Sequence, residues 1–86
     1  MSSPADQHVI KAIVDLAIFL EFTDSALLDD DAAVKAMEQL ASELQCLDEQ
    51  ARLELSKQIK ALSTTYADAK TREFVSSLPE ALGLVD

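Results

Sequence analysis

Apolar residues recur at helical spacing along nearly the whole chain. The first run is Val9, Ile10, Ile13, Leu16, Ala17 and Leu20, three and four positions apart, which predicts a helix from Pro4 to Phe22. Its start is marked by Ser3-Pro4-Ala5-Asp6: a serine that can accept from the Asp6 N–H, a proline suited to the first helical position, and an acid at the positive helix end. Thr23-Asp24-Ser25 ends it, because all three side chains compete for backbone hydrogen bonds. A second stripe, Val34, Met37, Leu40, Ala41, Leu44 and Leu47, predicts a helix capped by Asp29 or Asp30. Asp48 caps the next, whose apolar face is Ala51, Leu55, Ile59, Leu62 and Tyr66, with Arg52, Lys57 and Lys60 turned outward.

Beyond Tyr66 the stripe changes register: continuing it demands an apolar residue at 73, which is Glu, while the apolar set moves to Ala67, Phe74, Val75 and Leu78. Ser63-Thr64-Thr65 are the poorest helix formers there and mark a break before a fourth helix; one bent helix is the competing arrangement. Ser77-Leu78-Pro79-Glu80-Ala81-Leu82-Gly83 reads as a short separate turn, with Pro79 opening it, Gly83 closing it in the left-handed region, and Leu82, Leu84 and Val85 folding back as an apolar clasp. The expected fold is all-α: a single domain over residues 1–86, a compact antiparallel bundle of four main helices plus a short C-terminal helical turn.

Composition fits that picture. The 86 residues are 49% hydrophobic, with one Gly, two Pro and no Trp. At 9.4 kDa the surface laws give about 5,000 Å² folded and ~63% burial on folding, a core modest enough to need dense packing or a partner. A single cysteine makes no internal disulfide, and no Cys/His cluster suggests zinc. The most apolar stretch, Ile10 to Phe22, contains Lys11, Asp15 and Glu21 and is short for a bilayer. With no basic leader segment, a cytoplasmic setting is expected. A pI near 4.3 disfavours direct binding of nucleic acid or an anionic membrane.

Candidate chemistry is sparse. His8 is the sole histidine and reads as solvated near a helix start; Cys46 has no histidine nearby in sequence and reads as partly buried and idle; one glycine cannot build a phosphate loop. Asp29-Asp30-Asp31 fails as a calcium loop, since positions five, six and twelve would be Ala33, Val34 and Leu40. No enzymatic activity, cofactor or metal is expected.

Charge distribution says more. Residues 1–50 hold eleven acids and two bases, whereas residues 51–86 hold five of each. The excess is densest where Glu21, Asp24, Asp29, Asp30 and Asp31 meet no base. Such a cluster is either a solubility device or a docking surface for a basic partner. Beside it, His8, Lys11, Asp15, Phe19 and Phe22 project within about 80° of one another, so the polar face of the first helix turns aromatic at its end. Either the loop or the fourth helix covers these rings, or Phe19, Phe22, Leu27 and Leu28 form an apolar centre with a carboxylate rim, the anatomy of a binding hot spot. The candidate partner-binding set is therefore Phe19, Glu21, Phe22, Asp24, Leu27, Leu28, Asp29, Asp30 and Asp31.

In size, acidity and helical make-up, and in the stretches FLEFTDSALLDDDAAVKAMEQL and FVSSLPEALGL, the chain resembles the small cytosolic immunity proteins of bacterial toxin systems, including contact-dependent and type VI systems. The resemblance implies one-to-one binding that neutralises a cognate toxin, and carries over no residue's role. A small acidic secretion chaperone or adaptor is the alternative, and either a monomer or a homodimer is compatible with the sequence.

Overall fold

A computed structural model describes the backbone of residues 4–85 and the side chains of residues 7–85. Four helices follow in order: α1 (Pro4–Phe22), α2 (Asp30–Gln45), α3 (Glu49–Ser63) and α4 (Ala69–Ala81), with no strand among the described residues. The expected cap at Ser3 lies outside the described residues.

The other starts share one device. Asp29, Asp48 and Asp68 each sit in extended backbone and accept the N–H three residues on, from Ala32, Ala51 and Thr71. Each thereby satisfies one amide that the first turn leaves unpaired. Asp68 also takes the Thr71 hydroxyl at 3.1 Å. These bonds to Thr71 hold its carboxyl below the usual carboxylate range.

The break after α3 falls at Ser63-Thr64-Thr65 as the sequence predicts. The hydroxyls of Ser63, Thr64 and Thr65 donate to the carbonyls of Lys60, Ala61 and Leu62 at 2.6, 3.0 and 2.7 Å, so three successive side chains occupy the last carbonyls of the helix. Arg72 then reaches back to the carbonyls of Tyr66 and Ala67 and pins the connection.

The C-terminal segment departs from expectation. Residues 77–81 are no separate turn: α4 runs through Pro79 to Ala81. Val75, Leu78 and Leu82 are fully buried, and only an uninterrupted helix keeps positions i, i+3 and i+7 on one face. Closure is a Schellman motif. The Leu84 N–H donates to Pro79 O at 2.9 Å and the Gly83 N–H to Glu80 O at 3.0 Å, with Gly83 at φ 73°. Leu84 is buried as the expected clasp, while Val85 is half-buried.

The core is Ile10, Val14 and Ala17 of α1, Leu55 and Ile59 of α3, Val75 and Leu78 of α4, and Leu82 with Leu84. On α1 the buried face is rotated from the predicted stripe: Val14 is inside, whereas Val9 and Leu16 are 57% and 48% exposed. Apolar residues cover more than half of this helix's circumference, so its periodicity does not choose a face; packing against α3 and α4 does. Helix α2 contributes no buried residue. Met37, Leu40, Ala41 and Leu44 are half-buried, while Val34 and Leu47 of the same stripe are exposed. A single long-range hydrogen bond ties the end of α2 to the end of α4, from Gln45 Nε2 to Leu82 O at 2.9 Å.

Candidate functional site

The acidic corner is built by the turn between α1 and α2. Asp24 Oδ1 accepts the Ala26 N–H at 3.0 Å, and its carbonyl takes the N–H groups of Leu27 and Leu28 at 2.8 and 3.0 Å. This Asx turn folds the chain over the end of α1. It leaves Leu28 half-buried and Leu27 84% exposed.

Neither the loop nor α4 seals the aromatic residues. Phe19 is 53% exposed. Phe22 is 49% exposed and meets Phe74 of α4 edge-on, with centroids 5.4 Å apart and planes at 78°. Such a pair contributes ~0.5–1.5 kcal/mol beyond area burial, so Phe22 supports the fold with one side and faces solvent with the other. Glu21, Asp24, Asp29, Asp30 and Asp31 are all exposed, and among the described residues none of the five is in an ion pair. Asp24 and Asp29 have local structural work as turn and cap; Glu21, Asp30 and Asp31 have no such bond among the described residues. No group of three or more His, Cys, Asp or Glu among the described residues is placed to hold a metal ion.

On the same face of α1, one turn from Phe19, Asp15 accepts from Lys11 Nζ at 2.7 Å and from the Tyr66 hydroxyl at 2.7 Å, and the ammonium lies 5.7 Å from the Tyr66 ring centroid. The Lys11 bond holds the Asp15 carboxyl below its usual range. Burial, and then the bond to Asp15, push the Tyr66 hydroxyl up to about 12. This cluster braces α1 against the α3–α4 connection. Cys46 is exposed rather than partly buried, its thiol donating to Ser42 O at 3.4 Å; the cysteine falls at the C-cap of α2, beyond the packed part of that helix.

A second feature was not legible in the sequence. Beside the end of α2, a groove of about 880 Å³ opens between α1 and α3, floored by Val9, Ile13, Leu44, Leu47, Ala51 and Leu55. Asp48 and Glu54 stand along it, and no Lys or Arg lines it. The signal available beforehand was the surplus apolar circumference of α1, more than one packed face can use.

No family model, curated protein or solved structure matches the chain. Among the described residues, no helix is long and apolar enough to cross a membrane.

Proposed function

We propose that the protein is an immunity-type inhibitor, which binds a cognate bacterial toxin one-to-one and blocks its working surface with the acidic corner between α1 and α2. The observation that carries this reading is the exposure of Phe19 and Leu27, at 53% and 84%, amid five carboxylates that no cation neutralises among the described residues. Clustered like charge opposes folding, and large exposed apolar side chains gain nothing from water; together they suit a surface completed by a basic partner. Toxins that attack nucleic acid or nucleotides bind anions at their active sites, and a carboxylate-rimmed apolar patch occupies such a site sterically and electrostatically. On this reading the protein works in the cytoplasm of the bacterial cell that makes the toxin, without catalysis.

The test is to look for a long polymorphic protein with a variable C-terminal toxic domain encoded beside it and to co-express that domain with this chain. Rescue of growth together with co-purification supports inhibition; absence of both removes it. A chaperone or adaptor that holds a partner's segment is the second reading, favoured by the apolar groove between α1 and α3. It predicts binding to a secreted protein's segment without protection from any toxin.

A further inference from the structure

From the groove between α1 and α3 we infer a second docking surface, distinct from the acidic corner, whose occupant is an amphipathic helix of a partner protein with a cationic outer face. The floor is apolar, and its α3 side runs from Ala51 to Gln58, two helical turns or about 11 Å of axis. That length takes the i, i+3/i+4 and i+7 anchors by which a helix lies in a groove. Charge selects the kind of helix. Asp48 and Glu54 flank the floor, no basic side chain lines it, and neither acid is in an ion pair among the described residues. Lysines or arginines beside the apolar anchors complete both carboxylates, whereas a second copy of this chain would bring its own net charge of −9 against the same.

The surface is independent of the corner. Val9 and Phe19 are separated by ten positions on α1, and Asp31 and Leu44 by thirteen on α2, about 15 and 20 Å along the axes. Both spans exceed the ~8 Å screening length at physiological salt.

The experiment titrates the isotope-labelled chain with a synthetic leucine–lysine peptide carrying leucines at i, i+3, i+4 and i+7. Controls are a shuffled peptide and one with glutamate for lysine. Saturable binding is expected, with amide shifts centred on Val9, Ile13, Leu47 and Ala51. Val9→Glu combined with Leu47→Glu weakens it at least about tenfold. Ala51→Phe, which fills the groove instead of charging it, gives the same loss if the first variant fails to fold. Glu21→Lys with Asp31→Lys leaves affinity within about twofold at ~150 mM salt; a collapse there, equal binding of either control peptide, shifts centred on residues 19–31, or no saturable binding overturns the inference. So does a concentration-dependent dimer in sedimentation equilibrium that Val9→Glu abolishes. None of these outcomes bears on toxin rescue, which tests the corner.

Discussion

Gly83 and Gln45 form a small device whose energetics can be worked out beforehand. Gly83 closes α4 at φ 73°, a conformation that costs an L-residue about 1–2 kcal/mol. A Cβ added there would stand 2.5 Å from Gln45 Nε2. The glutamine tip can swing away, but only by giving up its 2.9 Å bond to Leu82 O, worth ~0.5–1.5 kcal/mol net. Gly83→Ala therefore loses about 2–3 kcal/mol, a fall in Tm of roughly 10–20 °C for a domain of this size. Gln45→Ala alone loses about 1 kcal/mol, and almost nothing more once Gly83 is Ala, because the bond has already gone. Gly83→Asn falls between, since asparagine tolerates the left-handed region yet still displaces the glutamine. Urea titrations of the four members of the cycle read this directly. If Gly83→Ala is neutral, the left-handed closure is wrong. If the two losses simply add, the contact joining α2 to α4 is wrong.

Ile59→Ala and Leu78→Ala, at fully buried positions, each lose ~2–5 kcal/mol, which in a domain this small leaves the variant largely unfolded in a thermal melt. Tyr66 titrates higher folded than unfolded, so its contribution is complete below pH 10 and is lost as pH rises from 10 to about 12; Tyr66→Phe flattens stability across that window. Asp15 and Asp68 are depressed, so their contributions hold above the ordinary carboxylate pKa near 3.8 and disappear as pH falls through the folded values. Asp68→Asn, which still caps, should lessen that acid sensitivity in a pH series of urea midpoints. If the acidic corner docks a basic partner as proposed, Glu21→Lys with Asp31→Lys slows that association, more at low salt than at high. Those sites are preferable to Asp29, whose charge cannot be reversed without losing the cap on α2. Stopped-flow rates indifferent to both substitution and salt refute electrostatic docking. Phe19→Ala tests the apolar centre more cleanly than Phe22→Ala, because Phe22 also packs on Phe74.

Where each helix starts and stops is local chemistry, and the sequence alone determined most of it. Asp48, and Asp29 or its neighbour Asp30, read as caps because a short carboxylate reaches the amide three residues on, whatever surrounds it, and the structure selects Asp29; Gly83 reads as a left-handed close because only its own backbone is at issue. Asp68 carries the same signal at the start of α4, in a connection that Ser63, Thr64 and Thr65 also mark as a break. The composition of the corner was equally readable, since five acids and two phenylalanines adjoin along the chain. What the chain could not settle locally was any choice made between elements. Pro79 looks like a start until Val75, Leu78 and Leu82 are seen to need one continuous face. Helix α1 is apolar over too much of its circumference for periodicity to say that Val14 goes in and that Val9 and Leu16 stay out. The shallow seat of α2, and with it the groove beside α3, exists only in three dimensions, because burial is a property of which faces meet and a sequence records faces without their partners.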